Sequence, residues 1–422
     1  MERKQKVIQF GEGGFLRGFV DWMIQIANEK TDFNGSVVVV QPIKDGLCDT
    51  LSAQGCVYTH LCRGVEGVDV KKIDVISHCV KPYDEFDKYI ALAENKDFRF
   101  IVSNTTEAGI AFNENDKITD RPASSFPGKL TQLLLKRFEL KLDGFVFLPC
   151  ELIDKNGDNL KSCILKYCDL WDLGDDFKEW IEKENIFCNT LVDRINTGYP
   201  KDESIQVDFD DKMINTSEYF HLWVISGYSQ LFTELPLDKC GLNVIVTEEL
   251  ERYRTRKVRI LNGSHTSMIP YALLSGVETV GDCLKDPVIS DHLKNCQEEI
   301  IASLDSTREE SEGYAESVMV RFANPYIRHM CQSIALNSVS KFKVRVLPSI
   351  LGYERKMGKA PQHLLFSFAK LIEFYKKGTP NDSPEETRKL KEGTVLEILS
   401  DETLWGQDLS RFASEVEKYA NS

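Results

Sequence analysis

The stretch VIQFGEGGFLRG, residues 7–18, constrains this chain more than any other. Val7 to Phe10 read as a strand. Three glycines follow within four positions, at Gly11, Gly13 and Gly14, and an apolar run of helical period then begins with Phe15, Leu16, Phe19, Val20 and Met23. Strand, glycine turn and helix form the entry to a dinucleotide-binding βαβ unit. The first glycine makes the tight turn, the second lets backbone approach a pyrophosphate, and the helix N-terminus offers N–H groups to the anion. Two details depart from that fingerprint. Leu16 stands where the third glycine belongs, with Gly18 two residues on. The second strand, in VVVVQPIK, offers Gln41 in place of the usual acid. Gln41 can hydrogen-bond a ribose hydroxyl, and no arginine stands beside it to favour a 2′-phosphate, although Lys44 is close. A glycine turn that holds no ligand fits the same letters.

Three further runs, SVVVV (36–40), RFIVSN (99–104) and GFVFLPC (144–150), are apolar on both faces and alternate with helical patterns such as Phe15 to Ala27 and Lys129 to Phe138. Such strands belong to a parallel sheet covered on both sides. After Val246 the texture changes. Thr247 with Glu248 and Glu249 reads as a helix start, as do Asp286-Pro287 and Asn324-Pro325, each a cap followed by proline at the first helical position. Leu364, Leu365, Phe368, Leu371, Ile372 and Tyr375 recur with helical period. The expectation is an α/β, Rossmann-type domain over residues 1–246 and a mostly α-helical domain over 247–422, with a cleft between them.

A chain of 422 residues is long for one core, which agrees with two domains. Its net charge of −14 would be repelled by nucleic acid and anionic lipid, so neither is an expected partner. No run approaches the roughly 20 apolar residues of a membrane helix, and MERKQKVIQF lacks the apolar core of a signal peptide, so the cytoplasm is the expected location. The twelve cysteines include no CxxC pair and read as reduced, mostly buried thiols. Cys56, His60 and Cys62 lie within seven residues, but the spacing fits no common zinc pattern; a strand and turn with buried thiols is expected there, and no metal.

The second informative stretch is RKVRILNGSHTSMIPYALL, residues 256–274. At about 100° per residue, Lys257, His265 and Asn262 fall at roughly 0°, 80° and 140° around a helix and could face one cleft. Carbonyl reduction needs a proton donor and stabilisation of a developing alkoxide. Lysine can donate, an asparagine amide can bond the oxygen, and histidine can orient substrate. The same three residues on one helix face also arise by chance in solvated or packed positions. Gly263 inside this helix marks a close approach or a kink.

Lys257-x4-Asn262-x2-His265 resembles the signature of the polyol-specific long-chain dehydrogenase family, which includes the mannitol dehydrogenases. QFGEGGFLRGFVDW, VSNTTEAGI (102–110), PCELIDKNGD (149–158), FCNTLVDRINTGYP (187–200), RFANPYIRH (321–329) and SIALNSVSKFKVRVLP (333–348) are similar to its tagaturonate reductase (altronate oxidoreductase) branch. The resemblance spans nearly the whole chain. It implies a Rossmann-type domain, a helical domain, an active site between them, and zinc-independent hydride transfer with NAD. Lys257 would be general acid and, in reverse, base; Asn262 would polarise the carbonyl; His265 would bind a substrate hydroxyl. Gly11, Gly13, Phe15 and Arg17 match the family's GxGxFxR pattern, and with Gly14, Leu16 and Gln41 make the expected cofactor site. Asn104, Thr105, Thr106 and Glu107 would lie near the nicotinamide ribose. Asp193 and Arg194 match a segment that faces substrate, though a local salt bridge fits the pair equally. In mannitol dehydrogenase a second asparagine stabilises the oxyanion; here Leu152 of CELID takes its place, so that donor is unassigned.

A uronate substrate carries a carboxylate, which calls for a cationic fork. In SKFKVRV, Lys341, Lys343 and Arg345 alternate and would share one face if extended, with Arg328 and His329 shortly before. A solvated surface strand has the same pattern. The expected activity is NADH-dependent reduction of tagaturonate to altronate. The alternatives are fructuronate reduction, a phosphopolyol dehydrogenase, or a catalytically silent NAD-binding sensor. Oligomeric state is not legible.

Overall fold

Val7 to Phe10 lie in a strand, β1 (Lys4–Phe10), at the centre of a parallel sheet. The structure is a computed structural model that describes residues 3–106, 108–200, 205, 207 and 209–420. Its chain divides into two units, Met1–Leu250 and Glu251–Ser422.

In the first unit β1 is followed by β2 (Gly35–Val40), a hairpin of β3 (Tyr58–Gly64) and β4 (Gly67–Ile73), then β5 (Ile76–Val80), β6 (Phe100–Ser103), β7 (Val146–Pro149) and β8 (Ile186–Phe187). Six of these make one sheet in the order β5-β2-β1-β6-β7-β8, with every neighbouring pair parallel. Numbered within the sheet alone, that is 3-2-1-4-5-6, the dinucleotide-binding order, whose reversal lies between β1 and β6. Alternate residues feed two cores. Val7, Val37, Val39, Val102 and Leu148 enter one, and Ile8, Phe10, Val38, Val40, Ile101 and Phe147 the other. Each such burial is worth about 1.5–3 kcal/mol, which is why these strands show no polar face.

The unit continues with β9 (Asn189–Asp193), β10 (Asn196–Gly198), β11 (Asn215–Ser217), β12 (Leu222–Ser226) and β13 (Val244–Val246). They complete a second sheet, β10-β11-β3-β4, and a third, β13-β12-β9. Three of these five strands have three residues, too few to show a period. The second sheet also corrects the helix expected over Phe15 to Ala27, which is broken into Gly14–Arg17 and Val20–Lys30. Asn196 and Asn215 each donate a hydrogen bond to Gly14 O at 2.8 Å. A Cβ on Gly18 would fall 2.2 Å from Asn196 Nδ2 and 2.8 Å from His60 Cε1. The two amides hold the first turn against the second sheet, and the chain resets at Gly18–Phe19 before the longer helix.

The second unit is mainly helical, as its start signals indicate. Asp286 caps Pro287–Ser303, its carboxylate accepting from Val288 N and Ile289 N. Helix Gln362–Lys377 buries Leu364, Leu365, Phe368, Leu371, Ile372 and Tyr375. Asn324-Pro325 starts no helix. Asn324 Oδ1 accepts from Tyr326 N at 3.0 Å and closes a turn, and the chain then runs to a bridge between Thr279 and Met330. Asparagine before proline serves a turn by the same chemistry that serves a cap, so local sequence does not separate the two.

Gly18→Ala should destabilise the first unit by about 1–3 kcal/mol, the usual cost of overpacking, read as a lower urea midpoint. At Gly13, where a Cβ meets nothing within 4 Å, the same change should cost at most about 1 kcal/mol.

Candidate active site

The glycine turn sits where the sheet order reverses. Gly11 (φ 117°) donates its N–H to Val40 O at 3.1 Å, and a Cβ there would lie 3.2 Å from Asn104 O. The carboxyl ends of β1, β2 and β6 are thereby drawn together, at the crevice where open α/β sheets take ligands. Above Gly13 is open space, a cradle that fits the pyrophosphate of a dinucleotide. Leu16 is buried in the core, and the close packing expected of a third glycine is made by Gly14 and Gly18. Phe15 stacks on Phe19 with centroids 4.9 Å apart. Arg17 points inward. It is buried, donates to Glu12 O at 3.0 Å and Met213 O at 2.6 Å, and braces the turn from beneath. Gln41 also has a different task from the one expected. Its Nε2 donates to Ile43 O at 3.0 Å and Lys44 O at 2.9 Å, and its Oε1 accepts from Cys48 N at 3.2 Å. Both amide hydrogens close the loop after β2, leaving no N–H for a ribose.

At the end of β6 the organiser is Glu151, which the sequence reading passed over. Its buried carboxylate accepts from Thr105 N and Thr105 Oγ1, both at 2.9 Å, and from Ser103 Oγ at 3.0 Å. Burial raises its pKa against the pull of these bonds. Asn104 Nδ2 reaches Cys150 O at 3.3 Å. Thr106 follows with φ 79°, a conformation that β-branched residues rarely adopt and that tends to mark functional loops. Glu107 lies outside the described residues. Leu152 is 59% exposed, so the position of the family's second asparagine turns to solvent.

In the second unit Lys257 opens a π-helical turn, Lys257–Asn262, that continues into the α-helix Gly263–Leu274. A π turn closes with i→i+5 bonds, so Lys257 and Asn262 come nearly one above the other, closer than a uniform α-helix would set them. His265 follows Asn262 by three residues on the adjoining α-helical turn. The arginines nearby are engaged elsewhere. Arg252 and Arg256 pair with Glu310, Arg254 with Glu251, and Arg259 donates to Ser349 Oγ at 2.6 Å and Ser303 Oγ at 3.1 Å. Lys257 and Asn262 are half-buried, whereas His265 is 7% exposed. The His265 ring stacks on Phe322 at 4.1 Å and meets His329 edge-on at 5.1 Å. Its Nε2 is buried with no hydrogen-bond partner among the described residues. Burial pushes its pKa well below the usual histidine range, and His329, Arg321, Arg345 and Lys341 add to the effect. The imidazole is therefore neutral at ordinary pH.

Lys341 and Arg345 do come to this place, but on a helix, Ser338–Arg345, and not on an extended strand. The alternation of SKFKVRV concealed a helical period: Val339, Phe342 and Val346 are the buried positions. The helix keeps Lys341 and Arg345 on one face, four residues apart, and sends Lys343 to Gly406, where a Cβ would lie 3.5 Å from its Nζ. Gly263 now has its reason: a Cβ there would be 3.2 Å from Arg345 O. Lys341 donates to Ile334 O at 2.8 Å, and burial followed by Arg345 lowers its pKa. Burial alone lowers that of Arg345, which meets no carboxylate among the described residues.

Asp193 and Arg194 belong to the first unit. Asp193 is buried at the end of β9, opposite Leu222. Arg194 donates to Glu218 O at 3.0 and 2.8 Å, Gly18 O at 2.6 Å and Cys62 Sγ at 3.0 Å, and lies over Trp22 at 4.1 Å. It is an internal strut of the first unit. Cys56, His60 and Cys62 diverge, to Cys79 at 3.9 Å, Ser217 Oγ at 2.9 Å and Arg194 respectively.

Sequence profiles of two domains match: the mannitol dehydrogenase Rossmann domain over residues 5–239 and the mannitol dehydrogenase C-terminal domain over 249–422. The chain is 43% identical to an altronate oxidoreductase of Yersinia enterocolitica, covering 96% of this chain and 91% of that protein. To one of Phocaeicola vulgatus it is also 43% identical, covering 97% and 91%. To one of Escherichia coli it is 42% identical, covering 99% and 93%. Of solved structures, substrate-free D-sorbitol dehydrogenase superposes with a TM-score of 0.83 at 21% identity, over 99% of this chain and 92% of that one. Pseudomonas fluorescens mannitol 2-dehydrogenase, in a ternary complex with NAD and D-mannitol, gives 0.71 at 19% identity, over 100% and 92%. Identities this low establish the fold.

Arg194→Ala should strip the buried Gly18 and Glu218 carbonyls of the guanidinium donors and destabilise the protein by about 2–5 kcal/mol, measured by urea unfolding. Full stability with a raised KM would instead mark a substrate contact.

Proposed function

The chain belongs to the mannitol dehydrogenase family of NAD-dependent oxidoreductases, and from that membership we propose that it interconverts a keto-uronate, tagaturonate, and D-altronate. Relatives named altronate oxidoreductase, alike over nearly the full length of both chains, support the substrate class. The observation that carries it is Arg345. This half-buried cation has no carboxylate partner among the described residues, and it packs beside the segment that holds Lys257, Asn262 and His265. An unpaired buried charge is costly, and a substrate carboxylate would neutralise it. Lys341, one helical turn away, is the second prong.

In this reading Gly11, Gly13 and Gly14 hold the pyrophosphate, and Asn104, Thr105 and Thr106 flank the nicotinamide ribose. Bound NADH supplies the hydride. The Lys257 ammonium gives its proton to the forming alkoxide oxygen, and in the reverse direction the neutral amine takes a proton from the hydroxyl. The Asn262 amide donates to the same oxygen and stabilises its charge. Neutral His265 binds a neighbouring hydroxyl. No metal ion is needed for these roles.

Following NADH absorbance with tagaturonate, fructuronate, fructose and fructose 6-phosphate tests the reading. Tagaturonate should give the highest kcat/KM. Preference for fructuronate or the phosphate would move the assignment within the family, and NADH binding with no turnover of any of them would favour a silent sensor. Lys257→Ala should lower kcat by about 10²–10⁴ with NADH affinity changed by no more than about twofold; near-normal turnover excludes it as proton donor. Arg345→Ala should raise KM roughly tenfold or more for acidic ketoses only, and an equal loss for fructose would remove the carboxylate contact.

A further inference from the structure

We propose that Glu12, in the glycine turn, is the residue by which this protein selects NAD over NADP. The inference rests on the family's use of a nicotinamide dinucleotide and concerns which one is accepted.

In a sheet of this order the adenosine ribose lies between the carboxyl ends of the first two strands, and a carboxylate at the end of the second normally bonds its 2′-hydroxyl. Here β2 ends in Gln41, whose amide hydrogens both serve its own loop. A carboxylate nonetheless reaches this place from the neighbouring strand. Glu12 is 7% exposed and its Oε1 accepts from Leu47 N at 3.1 Å, tying the glycine turn to the loop after β2. A Cβ built on Gly46 would fall 2.1 Å from Glu12 Oε1 and 2.6 Å from Gln41 Oε1, so carboxylate and carboxamide converge beneath that loop. Arg17 holds the Glu12 carbonyl from the other side and fixes the backbone that carries the acid. Besides Leu47 N, among the described residues the Glu12 carboxylate takes only its own backbone N–H, and two oxygens with about four lone-pair sites leave room to accept a ribose hydroxyl. A 2′-phosphate brought to the same point would meet a fixed like charge where water has little access, and like-charge juxtaposition is an effective means of rejection. Arg17, the nearest cation in sequence, is spent on the Glu12 and Met213 carbonyls, and Lys44, the nearest to Gln41, is exposed, with its carbonyl held by Gln41.

The test is titration of the full chain with NADH and with NADPH, followed by nucleotide fluorescence. The unaltered protein should bind NADH roughly 100-fold more tightly or better. Glu12→Gln retains an acceptor for Leu47 N and removes the charge. It should tighten NADPH roughly tenfold or more while weakening NADH severalfold. A gain for one coenzyme is an effect that mere disruption of the turn would not produce. Glu12→Ala, which removes charge and strap together, should shift the ratio in the same direction and serves if the glutamine variant does not fold. An unchanged ratio in a folded variant, or equal binding of both coenzymes by the unaltered protein, overturns the role of Glu12 alone. Binding of neither coenzyme by the unaltered protein would overturn the cofactor assignment and this proposal with it.

Discussion

The approach of Gly11 to the Asn104 carbonyl, across the reversal of the strand order, is the constraint on which the first unit's chemistry depends. A side chain at Gly11 would face both an unfavourable φ and a backbone oxygen 3.2 Å away. With glycine there, β1 and β6 end level with each other, and their following loops form the two walls of one crevice. What fastens those walls is carboxylate chemistry: Glu12 on the β2 side and Glu151 on the β7 side, each buried and each accepting backbone N–H groups. An acid in that role is held rigidly, because a buried carboxylate without its donors would be very expensive.

The buried cations divide into two kinds. Arg17, Arg194 and Arg137 all end on backbone carbonyls of the first unit, Arg137 reaching those of Ala93, Asn95, Phe98 and Asp143. They satisfy acceptors that the short strands and irregular connections leave open, and that is sufficient reason for their burial. Arg345 is of the other kind. It is drawn partly out of water with no acceptor to receive it among the described residues, in a neighbourhood where Arg321 and Lys341 also act on His265. On the proposed reading, a substrate carboxylate would meet the Arg345 charge.

The π turn at Lys257–Asn262 gives the second unit its chemical character. Such turns are rare, occur mostly as single turns within α-helices, and are frequent at functional sites. On the proposed reading, the gain is alignment of an amine and an amide that a regular helix would hold well apart around its axis.

Much of this was written locally. Apolar strands, the glycine turn, the Asp286 cap and the period of Gln362–Lys377 are short-range patterns, and short-range sterics and hydrophobicity are enough to set them. The Lys257, Asn262 and His265 triplet was legible as a motif, though the π turn that gathers it was not, since nothing in KVRILN marks the extra residue per turn. The tasks of Arg17, Arg194 and Glu151 were decided only in three dimensions. Glu151 meets Ser103 and Thr105 over more than 40 intervening residues, and Arg194 meets Gly18 over more than 170. So too with Lys341 and Arg345, where alternating charge suggested a strand and the burial of Val339, Phe342 and Val346 made a helix. Sequence determines where a charge can be placed along the chain; which carbonyl, carboxylate or open space it meets depends on long-range packing, because the energy of a buried charge is set by the partners that the fold brings to it.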